Sequence, residues 1–197
     1  TNLLDRVGFR QGQTGILNLF NPAGTVKKLE ENLRFADTFQ NRTALAHSYL
    51  MHGNTQEAIR LYEAALTGNF TENEEVLSHL LIAYYQAGRY DDVITAGKKI
   101  EHLPQLPRSA AHIMYAKALS IAGNTELAEK QFLSMKGRYS NFEARYEYGR
   151  FLESQNRMEE ARNLYTEIME EANHLSTPEK RSNSRWIGLV KEAMKKL

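Results

Sequence analysis

Histidines and carboxylates are the residues of this chain that could bind a metal ion or transfer a proton. The chain has six histidines, 24 acidic residues and no cysteine. The histidines are His47, His52, His79, His102, His112 and His174. None of them forms an HExxH motif or another helical pair with a carboxylate at metal-binding spacing, so the sequence predicts no zinc site. A metal or catalytic cluster would require distant residues, such as His47, His79 and Glu75, to converge in the fold.

The carboxylates follow the pattern of solvated helix faces rather than that of paired acid–base groups. Those near the C-terminus alternate with basic and apolar residues, and they are Glu159, Glu160, Glu167, Glu170 and Glu171. The chain lacks a GxSxG nucleophile motif. Its glycine-rich stretch GFRQGQTG (8–15) lacks the lysine and hydroxyl residue that complete a phosphate-binding loop. We therefore predict neither an enzyme nor a bound cofactor.

Composition and charge place the chain among ordinary globular proteins. Of its 197 residues, 42% are hydrophobic and 25% are charged, and the formal net charge is +1. No global field therefore attracts nucleic acid or an anionic membrane, and such binding would need a local patch. No stretch reaches the roughly 18 apolar residues of a membrane-spanning helix. The sequence starts at Thr1 instead of methionine. We therefore keep open the alternative that a preceding segment, such as a membrane anchor, has been removed.

A helix–glycine–helix arrangement returns along most of the chain. The residue between the two helices is Gly53, Gly88, Gly123 or Asn156, and these positions are separated by 35, 35 and 33 residues. Similar residue types recur at fixed distances from them. The columns are Ala46, Leu81, Ala116 and Gly149 (seven before); Tyr49, Tyr84, Leu119 and Leu152 (four before); Ala58, Val93, Ala128 and Ala161 (five after); and Tyr62, Gly97, Phe132 and Tyr165 (nine after). Small residues let two helices approach closely, and the larger side chains fill the space beside them.

This pattern, small–x–x–Tyr/Leu–x–x–x–Gly–x–x–x–x–Ala–x–x–x–Tyr/Phe, resembles the tetratricopeptide repeat, a helix–turn–helix unit of about 34 residues. Four units cover about 39–73, 74–108, 109–141 and 142–175. The resemblance implies an all-α fold, a right-handed α-solenoid built from these units. Gly97 departs from the pattern, because an aromatic residue is preferred there. We expect it to make room for a bulky neighbour such as Tyr85, and a ligand slot is the alternative.

Segments at both ends are predicted to cover the repeats, since a terminal unit cannot bury its own apolar stripe. Residues 25–38 should form an amphipathic helix that packs on the first unit, after a flexible extension over 1–24. In residues 176–197, Ser176 or Thr177 can cap a second terminal helix. Its apolar side carries Trp186, Val190, Ala193 and Leu197. We interpret it as a solvated capping helix, and contact of its basic side with acidic lipid or an acidic partner is the alternative.

The first helices of such stacked pairs line a concave surface, and the phase of the repeat predicts which side chains face a guest. The predicted groove for a peptide or protein consists of Thr43, His47, Met51, Ser78, His79, Tyr85, Gln86, Lys117, Ser120, Tyr146 and Arg150. Leu50, Ile82, Ile113, Met114 and Glu147 occupy neighbouring positions. The two isoleucines and Met114 could equally belong to the core, so both locations stay open for them. Apolar anchors with two flanking cations suit an extended or helical peptide.

Some members of the repeat family hold the terminal carboxylate of a chaperone with lysine and asparagine side chains of their first two units. The corresponding positions of this chain are Thr43, His47, Ser78 and Ile82. That carboxylate clamp is therefore missing, and a receptor for chaperone tails is not predicted.

Several stretches also resemble a family of bacterial membrane-associated repeat proteins. They are LEENLRFADTFQNRTALAHSYL, IRLYEAALTGNF, SNFEARYEYGRFL and the terminal helix with its tryptophan. Members of that family carry a hydrophobic hairpin, similar to the N-terminal segment of phospholipase D-type nucleases, ahead of the repeats. This hairpin is not in the present chain. The resemblance implies an anchor just before Thr1 and repeats on the cytoplasmic side of a membrane.

The sequence thus predicts a scaffold that binds a protein or peptide in the groove of a repeat array, with no cofactor and no nucleic-acid partner. The alternative is a self-associating structural module. In that case another copy of the chain, or its own N-terminal segment, fills the groove or covers the capping helix.

Overall fold

Helices make up all the regular structure of the part of the chain that is described. The computed structural model describes residues 22–103, 106, 109–135 and 141–197. Within these residues there is no β-strand, and the α-helices are α1 Pro22–Phe35, α2 Phe39–Met51, α3 Thr55–Ala65, α4 Glu74–Gln86, α5 Tyr90–Ile100, α6 Ala110–Ile121, α7 Thr125–Met135, α8 Phe142–Ser154, α9 Met158–His174, α10 Thr177–Ser182 and α11 Ser184–Met194. A 3-10 turn, Gly68–Phe70, lies between α3 and α4. The predicted all-α class is confirmed for these residues. The expected N-terminal extension, with its glycine-rich stretch, lies outside them up to position 21.

Four turns of the same geometry separate the paired helices. Gly53, Gly88, Gly123 and Asn156 have φ angles of 81°, 74°, 78° and 60°. After the first of these turns, the backbone N–H of Asn54 donates to the Tyr49 carbonyl at 2.9 Å, and the other three turns repeat this bond. A left-handed residue followed by this hydrogen bond is the Schellman motif, which satisfies the last carbonyls of a helix. The turn residues read from the sequence therefore mark the true ends of α2, α4, α6 and α8.

The small-residue columns lie in the core. Ala46 and Ala58 of the first pair of helices have no exposed surface, and neither have Ala128 and Ala161. Aromatic side chains nine positions after the turn are buried beside them, as Tyr165 is in the last pair. The register predicted from the repeat is therefore correct, and it decides which face of each helix is buried.

Two glycines within helices make room for tyrosine rings. A Cβ atom at Gly97 would lie 2.3 Å from Cδ2 of Tyr115, and one at Gly149 would lie 2.2 Å from Cε1 of Tyr165. Ordinary contacts between carbon atoms are about 3.5–4.0 Å. The expectation of a bulky neighbour at Gly97 is correct, but its identity was wrong. The ring that fills the space belongs to Tyr115 on α6, not to Tyr85.

The N-terminal helix lies three residues earlier than the sequence suggested. Helix α1 spans Pro22–Phe35, so Pro22 at its first position has the φ angle that a helix requires. The chain leaves the helix after Phe35 because Thr38 caps α2, its side chain accepting a hydrogen bond from the Asn41 N–H at 3.2 Å. Helix α1 packs on α2, and the Tyr49 hydroxyl of α2 donates to Glu30 of α1 at 2.6 Å.

The C-terminal segment forms two helices instead of one. Ser176 caps α10, and its backbone N–H donates to the Glu179 carboxylate at 2.9 Å. Asn183 separates α10 from α11, and α11 packs on α8 and α9. The apolar side of α11, with Trp186 and Val190, is buried in this contact. No helix in the described part of the chain is both long and apolar enough to cross a bilayer.

The chain divides into two compact units. The first ends at Ala118 and contains α1 to α5 with most of α6, and the second runs from Leu119 to Leu197. The candidate binding residues therefore fall into two sets, which belong to different units.

Candidate protein-binding surface

In the first unit, the first helix of each pair presents a partly accessible face. Its members are half-buried, apart from the exposed Gln86, and they are Thr43, His47 and Met51 of α2, Ser78, Tyr85 and Gln86 of α4, and Lys117 of α6. We call these seven residues the first-helix face. They are predicted groove residues whose side chains reach solvent in this unit. Their mixture of apolar, aromatic and cationic groups is suited to protein contacts.

Other candidates of this unit are core residues. His79 is 2% exposed, and Ile82 is fully buried. Leu50, Ile113 and Met114 are buried as well. The structure thus places His79, which was predicted to line the groove, behind the accessible face. For the two isoleucines and Met114 the core alternative is correct.

Aromatic contacts connect α2 with α4 behind the first-helix face. The His47 ring meets the His79 ring edge to face, with 5.2 Å between centroids. The His79 ring also stacks on Tyr62 of α3 at 5.8 Å. The His79 Nδ1–H donates to the Glu75 carbonyl at 2.9 Å, because a carbonyl oxygen can only accept. The three helices are therefore held together by a row of stacked rings.

Both of these histidines are neutral at pH 7. Burial lowers the pKa of His47 to about 4, and the nearby His79 adds to this effect. Burial also lowers the pKa of His79, against the opposing effect of its bond to the Glu75 carbonyl. The charge on the first-helix face therefore comes from Lys117 alone among its seven residues.

Lys117 lies beside the Tyr85 ring, and this contact connects α6 with α4. Its ammonium nitrogen is 5.7 Å from the ring centroid, within the distance for a cation–π interaction. Tyr85 also packs against Tyr90 with 5.6 Å between ring centroids. At the same end of α4, the Thr55 hydroxyl donates to the Gln86 side-chain oxygen at 3.3 Å. Tyr85 is therefore fixed in place, which lowers the entropy that it would lose on binding a partner.

A small cavity opens between α2, α3 and α4. Its volume is about 30 Å³, and its lining is Phe39, Thr43, Tyr62, Glu75, Val76 and His79. A wider depression of about 530 Å³ lies between α1 and the turn after α2. That depression is open and carries exposed side chains of both charge signs, including Lys27 and Glu31. The small cavity is the more defined of the two, because side chains from three helices enclose it.

The predicted groove residues of the second unit have mixed environments. Tyr146 of α8 lies between Tyr165 and Trp186, with centroid distances of 6.2 and 5.9 Å. Arg150 is exposed and forms an ion pair with Glu153. Ser120 and Glu147 are half-buried. The capping helix α11 thus covers much of the ring that was predicted to meet a partner.

Sequence reasoning missed two clusters of polar side chains between successive repeats. In the first unit, the Tyr84 hydroxyl donates to Glu63 at 2.8 Å, and Arg89 lies 3.3 Å from the same carboxylate oxygen. Arg89 also donates to Asp92 at 2.6 Å and stacks over the Tyr84 ring at 4.5 Å. The Arg–x–x–Asp spacing was a visible signal for one of these bonds. The partner on α3 was not visible, because it belongs to the preceding repeat.

The second unit contains the matching cluster. The Tyr148 hydroxyl donates to Glu129 at 2.9 Å, and Arg157 donates to the same oxygen at 2.6 Å. Arg157 also pairs with Glu160 at 2.7 Å, and this hydrogen bond lowers the pKa of the Glu160 carboxyl group. Burial and the bond to Glu129 raise the pKa of Tyr148 to about 12. These contacts connect helices of adjacent repeats.

The metal-binding possibility finds no support in the described residues. Among them, no group of three histidine, aspartate or glutamate side chains has a geometry that could hold a metal ion. His47, His79 and Glu75 are neighbours, but the two rings contact each other edge to face instead of sharing a ligand position.

Comparisons with known proteins agree on the repeat. The tetratricopeptide repeat family matches residues 43–110 and 116–174. Among solved structures, MamA from AMB-1 is 19% identical, covers 83% of this chain and 96% of that chain, and has a TM-score of 0.62. Another crystal structure of MamA is 15% identical at the same coverage, with a TM-score of 0.68. TTC0263, a thermophilic TPR protein in Thermus thermophilus, is 16% identical, covers 89% and 93%, and has a TM-score of 0.60. These identities show the fold alone. No curated protein matches the chain.

Proposed function

We propose that this chain, which belongs to the tetratricopeptide repeat family, is a scaffold that binds a peptide segment of a protein partner on its first-helix face. The observation that carries the proposal is the row of partly accessible side chains on α2, α4 and α6, backed by a rigid core. Members of repeat families use surfaces of stacked helices to bind other proteins.

Tyr85 is the expected centre of this interaction. It is half-buried, held between Tyr90 and Lys117, and flanked by the exposed Gln86. Binding energy concentrates in aromatic and cationic anchors of this kind, while surrounding residues mainly exclude water. Met51 on α2 is half-buried and supplies an adaptable apolar side chain in the same unit. A segment with an apolar anchor and an acidic residue would match Tyr85 and Lys117.

Selection from a displayed peptide library tests this function even though the partner is unidentified. We expect enriched peptides to lose about thirtyfold in affinity for Tyr85→Ala and to bind Lys117→Glu much more weakly. Lys130→Glu is the matched control, because Lys130 is exposed on α7 and outside the first-helix face. Circular dichroism establishes that each variant is folded. Failure to enrich any peptide, or equal binding to all variants, would remove the peptide-binding proposal.

A position at the cytoplasmic face of a membrane is part of the proposal. Its support is the resemblance of stretches such as SNFEARYEYGRFL to membrane-associated repeat proteins. Fractionation of cells that produce the native full-length protein tests it. Recovery of that protein entirely in the soluble fraction, at low and high salt, would contradict membrane attachment.

Self-association is a second candidate, favoured by large apolar side chains that are exposed. Phe35 at the end of α1 is 94% exposed, and the second unit exposes Ile121, Leu127, Leu133 and Met158. Contact with a second copy would remove such apolar side chains from water, which is favourable. Light scattering across a range of concentrations separates the two candidates. A strict monomer at all concentrations excludes self-association, whereas a dimer that Phe35→Ser abolishes would support it.

A further inference from the structure

The last two helices carry an excess of positive charge that the rest of the chain lacks. Residues 176–197 contain two acidic residues and six basic ones, so their formal charge is +4. Since the whole chain has +1, residues 1–175 sum to −3. The six basic residues, which we call the C-terminal basic face, are Lys180, Arg181, Arg185, Lys191, Lys195 and Lys196. This end of the chain therefore provides the local patch that attraction of a polyanion requires.

The packing of α11 directs these side chains toward solvent. Trp186, Val190 and Ala193 occupy one side of α11 and are buried where the helix packs on α8 and α9. Helix α10 has no buried residue, and all six members of the C-terminal basic face are exposed. The core contact of α11 thus fixes the direction in which its cations point.

Gly188 lies at the centre of the outward side of α11. It is three positions from both Arg185 and Lys191, and residues three or four apart are neighbours on a helix surface. Gly188 is exposed, and a Cβ atom there would meet nothing within 4 Å. Lys195 follows Lys191 by four positions on the same side. Because no side chain stands at the centre, the long cations around it can reach one flat surface together.

Contacts within the chain leave this charge available to a partner. Lys195 pairs with Glu192 at 2.7 Å, but the two side chains are 69% and 61% exposed. An ion pair that is so open to water contributes little to stability. Among the described residues, no ion pair engages Arg181 or Lys191. An external anion therefore replaces few favourable contacts when it binds here.

The remaining contacts of this face are with neutral groups. Lys180 donates to the Asn173 carbonyl at 3.1 Å, and Arg185 stacks over the Trp186 ring at 4.8 Å. Neither contact supplies a counter-charge, so both cations keep their charge at the surface.

The composition of the C-terminal basic face favours a flat, diffuse anionic surface. Four of its six cations are lysines, which are flexible point charges, whereas recognition of a single phosphate or carboxylate is better served by the arginine fork. Trp186 is 7% exposed and is the one aromatic residue of α10 and α11, so no ring is available to stack on a nucleobase. A membrane leaflet with anionic lipids presents a field of this diffuse kind.

We propose that the C-terminal basic face binds the anionic headgroups of a lipid bilayer without insertion of α11. The inference rests on the proposed position at a membrane and assigns a surface of this chain to it. Each basic residue near anionic lipid raises the partition coefficient about fivefold, and surfaces of this type carry about four to eight such residues. The apolar side of α11 takes no part, because it is already buried in the protein.

Sedimentation with lipid vesicles tests the proposal on the chain itself. We expect binding to vesicles of phosphatidylcholine with about 30% phosphatidylglycerol, and none to pure phosphatidylcholine. Salt at about 1 M should release the protein, because it shortens the screening length to about 3 Å. Equal binding to both kinds of vesicle would overturn the proposal. Tighter binding to a DNA duplex at the same phosphate concentration would overturn it too, since the face would then be a nucleic-acid site.

A double variant and its control identify the surface. Lys191→Gln with Lys195→Gln should lower the partition coefficient about 25-fold, since it removes two factors of about five. Lys98→Gln with Lys99→Gln is the matched control, because both lysines are exposed on α5 and the net charge changes equally. This control should keep nearly all of the binding, and circular dichroism establishes that both variants are folded. Equal losses would show that overall charge decides, which would refute the assignment to this face.

The single tryptophan of the chain distinguishes surface contact from insertion. Trp186 is part of the buried side of α11, so its fluorescence reports on that helix alone. Lipids brominated on their acyl chains should not quench it when the protein is bound. Quenching would show that α11 has left α8 and α9 and entered the hydrocarbon, and it would overturn the proposed mode of contact.

These tests are separate from those of the proposed function. Vesicle binding requires neither a peptide nor an anchor. If the native full-length protein stays with the membrane fraction while this chain binds no vesicle, the membrane position stands and the C-terminal basic face is refuted as a lipid contact. If the chain binds anionic vesicles while the native protein is recovered as soluble, the face is confirmed and the proposed position in the cell is refuted.

Discussion

Replacement of Gly97 by alanine tests the packing of α5 against α6 most directly. In an exposed helix this change stabilises a protein by about 1 kcal/mol, because glycine loses more backbone entropy on folding. Here the new Cβ would lie 2.3 Å from Cδ2 and 2.6 Å from Cγ of Tyr115. Cγ is fixed directly to the tyrosine Cβ, so rotation of the ring cannot relieve the overlap. The helices must separate, or Tyr115 must leave its buried position.

The expected cost follows from these distances. Overpacking of a well-packed core costs about 1–3 kcal/mol, and an overlap down to 2.3 Å belongs to the upper part of that range, about 2–3 kcal/mol. The helix propensity of alanine offsets about 1 kcal/mol of it. We therefore expect Gly97→Ala to lower the free energy of unfolding by about 1–2 kcal/mol. For a chain of this length that corresponds to a fall in melting temperature of roughly 2–8 °C.

Gly188 provides a matched control for this experiment. It is also within a helix, α11, but a Cβ atom there would meet nothing within 4 Å. Gly188→Ala should therefore raise the free energy of unfolding by about 0.5–1 kcal/mol. Urea titrations of the two variants should shift in opposite directions. Equal stabilisation by both substitutions would refute the steric argument.

A double substitution identifies the neighbour responsible. Tyr115→Leu removes the ring, and the Gly97→Ala change should then cost much less in that background. The coupling energy from the four unfolding measurements isolates this pair. Additive effects would mean that some other contact causes the loss. Gly149→Ala, which meets the Tyr165 ring, should repeat the result in the second unit.

Three further predictions concern charge, pH and the turns. Arg157→Met should lower the free energy of unfolding by only about 1 kcal/mol at low salt, because its partners Glu129 and Glu160 are partly exposed. In 1 M NaCl the difference in stability from wild type should be smaller, because salt screens the charges. Lys130→Met is the control, and a loss of stability that does not depend on salt would argue against the ion pairs. The pKa of His47 is about 4 in the folded state against an ordinary value of 6.5, so its contribution to stability is complete above pH 6.5 and falls as pH drops toward 4. Between pH 7 and pH 4.5, the wild type should therefore lose about 2 kcal/mol more unfolding free energy than His47→Gln does, as measured by urea titration. If the two proteins show parallel dependences of stability on pH, His47 does not titrate as expected. Asn156→Ala should lower the free energy of unfolding by about 1 kcal/mol in the same assay, because alanine is disfavoured at a positive φ angle. Asn156→Gly should change it by less than about 0.5 kcal/mol. Equal effects of the two substitutions would mean that the turn has relaxed.

The fold could be predicted because its signals are local. Gly53 and Asn156 identify helix ends by their own conformational preferences, whatever surrounds them. The burial of Ala58 follows from its position relative to the turn, since the repeat fixes the phase of the helix. Spacing was therefore enough to predict the helix ends and the buried faces, and the resemblance to the tetratricopeptide repeat supplied the fold class.

The binding surface was harder to predict because it depends on neighbouring helices. His79 has the same phase as accessible residues, yet the rings of His47 and Tyr62 cover it. Tyr146 is covered by Trp186, which is distant in sequence. The small cavity of the first unit is also invisible in the sequence, because its lining comes from three different helices. The break at Asn183 was also missed, because no glycine or proline marks it and the preceding TPEKRS has no apolar side whose change of direction could reveal it.

The paired arginine clusters have a consequence for the mechanical behaviour of the molecule. Arg89 connects the start of α5 to α3, and Arg157 connects the start of α9 to α7, so each compact unit has one such connection. Sliding one hairpin along its neighbour would pull these charges apart before the apolar core opened. We therefore expect each unit to resist shear as a whole under a pulling force, and to soften when concentrated salt screens the charges.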